Sequence, residues 1–396
     1  MSKGGQIMTK TALIVGLGFA GSVAARELAE AGYFVLAYEK RSSIAGNMYE
    51  YTRSNGVRVH MYGPHIFHTN SKRVYNYLSR FSSFYPYTHR VLGRINGKLV
   101  PIPFNFTSID ALFPPKQAKL LKSKLSGSFG EKTRVSVSDL TTHQDPDISA
   151  LGDYIFENVF VHYTAKQWGV PVSQIDISVI NRVPVVLGTD DRYFSDEIQM
   201  MPLEGYTALF ENLLKHPNIH YILNADAADH LNIDSESNII SLDGEPFNGP
   251  VIYSGPADEL FGYSLGALPY RSLDMQFEDH PVDYFQKASV VNYPNEEQYT
   301  RITEFKHITL QVLSQKTTIL KEYPVPYRSG GISPPYYPIV GEENQTRYNE
   351  YLEQSRCFPN LYLCGRLAEY RYYNMDAAVE RALLVAGQVL IDFPAK

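Results

Sequence analysis

Cysteine is almost missing from this chain: Cys357 and Cys364 are its only two in 396 residues. They form no CxxC pair and join no His/Cys cluster, which argues against a disulfide framework or a zinc site and fits a reducing cytoplasm. Long apolar runs are also lacking. None approaches the 18 or so residues of a membrane span, so no spanning helix is expected. The leader Met1–Ile7 has no apolar h-region and reads as an added or disordered start, not a signal peptide. Basic excess is absent as well: 36 Lys and Arg stand against 42 Asp and Glu, a net charge of −6, which gives no footprint for nucleic acid or an anionic membrane. Tryptophan occurs once, at Trp168, against thirty tyrosines. Tyrosine joins a flat apolar face to a hydroxyl, which suits nucleotide or sugar pockets, although most of the thirty simply fill half-buried strand positions.

What is present is the make-up of an ordinary soluble globular protein, 44% hydrophobic and 20% charged. Its length predicts two or three domains around more than one core. The most informative stretch is Ala12 to Gly21. The apolar run Ala12–Val15 breaks into Gly16, Leu17, Gly18, Phe19, Ala20 and Gly21, and a helix-favouring segment follows at once. Strand, glycine turn and helix in that order are the context a dinucleotide fingerprint needs. Gly16 allows the tight turn, Gly18 lets a pyrophosphate approach the backbone, and Gly21 lets helix and strand pack closely. A second strand from Tyr33 to Tyr38 ends at Glu39, 18 residues past Gly21. An acid about 20 residues on is suited to a ribose without a 2′-phosphate, hence FAD or NAD and not NADP.

Downstream, Ile44-Ala45-Gly46-Asn47 is a second glycine turn soon after the acidic strand end. His60, His65 and His68 fall within nine residues, but no carboxylate or cysteine accompanies them, so the segment reads as a structural turn or a loop lining a cofactor and not as a metal site. Asn96-Gly97 between two β-like runs predicts a hairpin. From Ser108 to Ile180 helical patterning prevails, with a helix expected over Ile148 to Phe160 and a polar loop over Lys132 to Asp147. Further strands are expected at His220–Leu223, Val251–Gly255 and Asn360–Cys364, helices at Gly205–Lys215 and Met375–Asp392, and antiparallel sheet over 270–325. The fold class is therefore α/β: a discontinuous Rossmann-like FAD-binding domain (8–84, 204–262 and 330–396), a helical substrate-binding insertion with a mobile loop (107–180), and an antiparallel β-sheet domain (85–106, 181–203 and 263–329).

An ordered set of motifs narrows this further. Gly63-Pro-His-Ile-Phe-His-Thr69, Tyr163-Thr-Ala-Lys-Gln-Trp-Gly169, Tyr270-Arg-Ser-Leu273, Tyr299-Thr-Arg-Ile302, Lys321-Glu-Tyr-Pro324 and Gly365-Arg-Leu-Ala-Glu-Tyr-Arg-Tyr-Tyr373 follow one another. Together they closely resemble the bacterial UDP-galactopyranose mutase family, from about Thr11 to the C-terminus. The resemblance implies an isomerase that interconverts pyranose and furanose forms of a nucleotide sugar for surface polysaccharide synthesis. It works with reduced FAD, NADPH or NADH being the reductant, as a cytoplasmic homodimer. It implies a reaction in which N5 of the flavin bonds the anomeric carbon as UDP leaves, and the opened sugar recloses through O4.

By the same resemblance Arg182 and Arg301 hold the diphosphate, the first in or beside a mobile loop; arginine's planar fork suits phosphate. Arg271 is a further candidate. Trp168, with Phe160 and Tyr163, is expected at the uracil, and Asn105, Tyr193, Tyr323 and Tyr370 at the diphosphate or sugar. His65 is placed beside the flavin ring, where it steers the reduced cofactor's geometry. Cofactor contacts are expected from Gly16, Gly18, Phe19, Gly21, Glu39, Lys40, Gly46, Asn47, His65, Gly365, Arg366, Asn374 and Met375. No Ser/His/Asp triad or paired carboxylates emerge, and Glu304, Glu369 and Asp376 receive no acid or base role. The chain departs from the family at Ala45 (commonly glycine), Val159 (commonly aromatic), Met200–Gly205 and Tyr372-Tyr-Asn-Met-Asp376. The substrate therefore stays open between UDP-galactopyranose, dTDP-fucopyranose and UDP-N-acetylgalactopyranose. An amine-oxidase-like flavin oxidoreductase and a non-catalytic protein on the same fold, as in the Rab GDP-dissociation inhibitors, are the rival classes.

Overall fold

In the computed structural model the strand Thr11–Val15 lies at the centre of a five-stranded parallel sheet. Phe34–Glu39 and then Ile219–Leu223 flank it on one side, Val251–Tyr253 and then Leu361–Leu363 on the other. The structure describes residues 10–169, 171–174, 183–328 and 333–394; for Trp168 and Gln174 the description covers the backbone alone. Ala12, Leu13 and Ile14 are completely buried, because both faces of a parallel sheet are covered and a continuous apolar run suits that position. The helix Phe19–Glu30 packs on this sheet and against the helices Tyr206–Leu214 and Met375–Asp392. Its inward residues are mostly small (Ala20, Gly21, Ser22, Ala24 and Ala25), so the neighbouring backbones approach closely. Sequence and structure agree on the limits of the final helix.

A second, seven-stranded sheet carries the other half of the molecule. Its order is Tyr337–Pro338, Tyr270–His280, Thr317–Pro326, Arg301–Glu304, Val290–Asn292, Val91–Ile95 and Lys98–Ile102, antiparallel except where Val290–Asn292 runs parallel to Val91–Ile95. The Asn96-Gly97 turn has φ of 48° and 74°, the left-handed pair that lets Ile95 sit opposite Lys98. Pro101 is tolerated because its strand is the sheet edge. Ile198–Pro202 joins a separate three-stranded sheet between Phe67–Thr69 and Phe84–Pro86, which ties the segment after the helices back to the histidine-rich loop.

Along the chain, the strands Lys98–Ile102 and Ile198–Pro202 are separated by the helices Phe106–Leu112, Pro115–Phe129, Val137–Thr141, Pro146–Ile155 and His162–Trp168. Two expectations are corrected here. The supposed loop over 132–147 contains a strand, Arg134–Val135, and the helix Val137–Thr141, which Ser136 and Asp139 close with reciprocal side-chain bonds. The helix expected over 148–160 instead starts at Pro146, capped by Asp145, and winds into a π-helix at Phe156–Val161 before resuming. Asn158 Nδ2 donates to the Tyr154 carbonyl there, and Asn295 Nδ2 donates to the Asn158 carbonyl, taking up acceptors in and beside the wide turn. Neither the polar helix Glu342–Ser355 nor the small sheet of Leu231–Asp234, Ile239–Leu242 and Glu245–Pro246 was expected. Among the described residues, no helix is long and apolar enough to cross a membrane.

Candidate active site

Three glycine turns meet above the parallel sheet. Gly16, Gly46 and Gly365 have φ of 89°, 54° and 108°, conformations that side chains disfavour. Space reinforces the requirement. A Cβ on Gly21 would fall 1.8 Å from the Gly16 carbonyl oxygen, one on Gly46 2.9 Å from Gly18 Cα, and one on Gly365 2.8 Å from the Ala20 Cβ. The result is a groove walled by main chain at the start of the helix Phe19–Glu30. Gly18 caps that helix without a side chain, so its first N–H groups and the positive end of its dipole stay open to an anion. Phe19 contributes main chain only, since its ring is in the core 4.7 Å from that of Phe210.

Glu39 ends the second strand beside this groove. Its carboxylate accepts the N–H of Leu17 at 2.8 Å and of Arg41 at 3.0 Å, which fixes both turns. Lys40 points outward, 3.4 Å from Glu259. Arg41 lies over the ring of Tyr62 at 4.3 Å and donates from Nη2 to the Asn47 Oδ1 at 3.0 Å. Its Nη1 is buried without a partner, as is the hydroxyl of Tyr336. A main-chain cradle that Cβ atoms would fill, with an unspent buried guanidinium nitrogen beside it, fits a dinucleotide with its pyrophosphate. Asn374 begins the final helix with no side-chain cap, but Asp376 in its first turn takes the Ala377 N–H at 2.8 Å, so this helix start is not open in the same way.

Next to the groove the second sheet presents Arg301. It stands directly opposite Glu322, and its Nε donates to the Glu322 Oε1 at 2.7 Å. Burial by itself would disfavour the charged guanidinium; Glu322 outweighs this and keeps it firmly protonated. Tyr163, Tyr193, Tyr337 and Tyr372 all lie within electrostatic reach of Arg301. The rings of Tyr337 and Tyr372 stack at 5.4 Å, and Arg366 covers both, at 5.0 and 5.4 Å. The turn at Gly63 leans on the same ion pair: its Cβ position is 3.5 Å from Glu322 Oε1. His65 follows, its Nδ1 donating to the Gly63 carbonyl at 2.8 Å. Burial, together with the nearby Arg366 and Arg301 guanidinium groups, pushes its pKa down to about 3, so the imidazole is neutral.

Not every expected residue faces this cleft. Asn105 is fully buried, its Oδ1 accepting the Ser108 N–H and its Nδ2 donating to the Asp190 carbonyl, so it braces the cleft wall from behind. Phe160 packs in the core of the helices. Tyr323 lies on the face of its strand opposite to Glu322, against Tyr299 at 5.8 Å. Tyr370 is buried with φ of 47°, and its hydroxyl bonds the carbonyls of Pro269 and Ile339. Arg271 donates to the Gln167 carbonyl and underlies Gly169, securing the end of the helix His162–Trp168. Arg182 lies outside the described residues, as does the side chain of Trp168. Sequence reasoning missed Tyr337, Tyr372, Glu322 and Arg41. Tyr372 stands two residues after Tyr370 in the same motif and Glu322 beside Tyr323, so the motif was the right signal and the side-chain direction was not legible.

This arrangement agrees with the family comparisons. The family model described as UDP-galactopyranose mutase matches residues 158–372, more than half of the chain, and that of an NAD(P)-binding Rossmann-like domain matches residues 14–81. A UDP-galactopyranose mutase of Mycoplasma pneumoniae is 34% identical, covering 96% of this chain and 96% of that protein. A dTDP-fucopyranose mutase of Escherichia coli is also 34% identical, covering 94% of this chain and 96% of that one. The crystal structure of a reduced UDP-galactopyranose mutase shares the fold, with a TM-score of 0.70 at 17% identity over 98% of this chain and 97% of that one. The cradle for a dinucleotide, the paired Arg301 and the extent of these matches lead to one conclusion: the chain belongs to the UDP-galactopyranose mutase family.

Proposed function

We propose that this protein interconverts the pyranose and furanose forms of a nucleotide sugar, UDP-galactopyranose and UDP-galactofuranose, with FAD in the glycine cradle. The observation that carries the reading is Arg301: a guanidinium aimed by a buried carboxylate, ringed by tyrosines and set beside a dinucleotide groove. A nucleoside diphosphate needs such a fixed cation, and arginine's fork meets two phosphate oxygens at once. Arg182 would supply a second cation from the segment that follows the helix His162–Trp168. Tyr163, Tyr193, Tyr337 and Tyr372 orient the sugar and diphosphate through their hydroxyls, while their faces exclude water. Asn105 and Arg271 act from behind, holding the wall and the helix end.

Reduced FAD, when bound, supplies the nucleophile for the anomeric carbon and so makes the ring exchange possible without a net redox change. Gly16, Gly18, Gly21, Gly46 and Gly365 would admit its pyrophosphate beside the open helix start at Phe19, and Glu39 would take its ribose. His65, neutral and bonded through Nδ1, would offer its Nε2 to the cofactor as an acceptor. The three-part division into cofactor domain, helical insertion and antiparallel sheet domain belongs to this reading. So do a nicotinamide reductant, a homodimer, a cytoplasmic location and a role in surface polysaccharide synthesis.

One alternative substrate has support: the dTDP-fucopyranose mutase matches the chain at the same 34% identity as the UDP-galactopyranose mutase. The test is anaerobic incubation of dithionite-reduced protein with UDP-galactofuranose and, separately, with dTDP-fucofuranose. Chromatography should show one of them converted to its pyranose. A protein that carries FAD, is reduced and converts neither sugar would overturn the proposal.

A further inference from the structure

Behind His65 lies a buried pair that the proposed reaction does not use directly. Glu50 and His60 stand opposite each other in the two-stranded ribbon of Glu50–Thr52 and Arg58–His60. His60 is completely buried and Glu50 nearly so, at 6% exposed. The His60 Nε2 lies 3.0 Å from the Glu50 Oε1, close but off the line of a full hydrogen bond. On its other side, His60 Nδ1 accepts the main-chain N–H of His65 at 3.0 Å. Only an unprotonated Nδ1 can accept, so a neutral His60 carries its proton on Nε2, where it faces the carboxylate.

Glu50 is itself anchored. Its Oε2 accepts the N–H of Tyr206, the first residue of the helix Tyr206–Leu214, and its main-chain N–H donates to the Thr207 hydroxyl at 2.9 Å. A carboxylate at a helix start is favoured by the dipole. Gly205, which precedes that helix with φ of 89°, leaves room for it: a Cβ there would fall 2.0 Å from the Glu50 Oε2. A chain of fixed contacts thus runs from the helix start through Glu50 and His60 to the His65 main chain. The turn it reaches also leans on Arg301 and Glu322 at Gly63.

We propose that Glu50 and His60 are a positioning pair that fixes the tautomer of His60 and, through it, the Gly63–His65 turn that aims His65. The inference deepens the reading given under Proposed function and rests on it. Removing the acceptor at the Nδ1 position frees the His65 N–H and lets the turn shift; a displacement of about 1 Å in a positioned group costs on the order of 100-fold in rate.

His60→Asn and His60→Gln separate this role from simple packing. Asparagine places an amide oxygen near the Nδ1 position and keeps the acceptor, whereas glutamine carries its amide out toward Glu50 and loses it. The two variants are compared in the reduced holoenzyme for kcat and KM, with thermal melting and the visible spectrum of the bound oxidised flavin as further readouts. H60Q should lose about 100-fold in kcat with little change in KM and should shift the flavin bands. H60N should recover at least tenfold of that kcat, with flavin bands nearer the wild type. Equal losses in both variants that follow their melting temperatures, with unchanged flavin spectra, would show a packing role and overturn the inference. A wild-type protein without flavin or without mutase turnover would instead fail the reading on which it rests.

Discussion

Replacing Gly46 by alanine isolates what the glycine cradle does, provided a control removes the ordinary cost of putting alanine in a left-handed conformation. Gly32 is that control. Its φ is 93°, and a Cβ added there meets nothing within 4 Å. Gly32→Ala should therefore cost the left-handed strain of about 1–2 kcal/mol, offset by about 0.4–1 kcal/mol from a less flexible unfolded chain. The net is about 1 kcal/mol. Gly46→Ala carries the same two terms at φ 54°, and its Cβ also lands 2.9 Å from Gly18 Cα and 3.4 Å from Gly18 N. Both obstacles are main chain, so no side chain can swing aside. Ordinary carbon contacts lie near 3.5–4.0 Å, and one turn must retreat by about 0.6 Å or more. Overpacking of this kind costs a further 1–3 kcal/mol or so. Because the two turns are the walls of the cradle, that displacement should appear in cofactor affinity, at about 1.4 kcal/mol per tenfold, as flavin binding weakened on the order of 10- to 100-fold. The assay is the ratio of flavin to protein absorbance after gel filtration, followed by FAD titration of the apoprotein and melting curves for both variants. Gly46→Ala protein with full flavin and the same melting shift as Gly32→Ala would refute the reasoning.

Two further predictions use the tyrosines that the structure reassigned, and a third a buried acid outside the site. Tyr372→Phe should lower kcat/KM at least tenfold and leave the melting temperature unchanged. Tyr370→Phe should cost about 1–3 kcal/mol of stability, through the lost bonds to Pro269 and Ile339, and leave kcat/KM unchanged; the reverse pattern would restore Tyr370 to the site. Asp258 is 2% exposed with one carboxylate oxygen unpartnered, and burial pushes its pKa up from 3.8 to about 6. Its folded-state value exceeds the unfolded one, so the stability linked to its proton is present below about pH 4 and lost as pH rises through about 6. Urea midpoints at pH 4.5 and 7.5 should show wild type losing about 2 kcal/mol relative to Asp258→Asn, and parallel pH profiles would count against this.

The fold was legible where a pattern maps one residue type onto one need. Ala12 to Val15 reads as a covered strand, Asn96-Gly97 as a hairpin, and Met375 to Asp392 as an amphipathic helix, and each forms as read. It was illegible where the signal is short or polar. Val137–Thr141 has five residues, too few to show a helical period, and only its Ser136/Asp139 cap betrays it. Glu342–Ser355 buries two tyrosines and a serine, not an aliphatic stripe. In the site, the glycine spacing could be read because it is tied to a main-chain need, and Arg301 through its place in the Tyr299-Thr-Arg-Ile302 motif that carries the family resemblance. Tyr323 against Glu322, and Tyr370 against Tyr372, could not. Which of two neighbours faces the cleft depends on strand register in one case and on a left-handed turn at Tyr370 in the other.

The buried acids bear on how such a site works. Glu304 accepts the N–H groups of Phe285 and Gln286 and the Thr317 hydroxyl. Glu369 accepts the Gly365 N–H and pairs with Arg381, so it shapes the third wall of the cradle. Asp376 accepts the Thr69 hydroxyl and the Ala377 N–H, while Glu322 is held by Arg301. Each of these carboxylates is thus already bonded to its neighbours, and using it to move a proton would break the bonds that shape the site. Among the described residues, what the site offers a ligand is of the other kind: guanidinium groups, tyrosine hydroxyls, a neutral imidazole and the open helix start at Phe19. Those groups restrain anions and orient hydroxyls; they are poorly suited to exchanging protons near neutral pH. Such a set suits the proposed isomerisation, in which the bond-making atom would belong to the cofactor and the protein would hold substrate and cofactor in place.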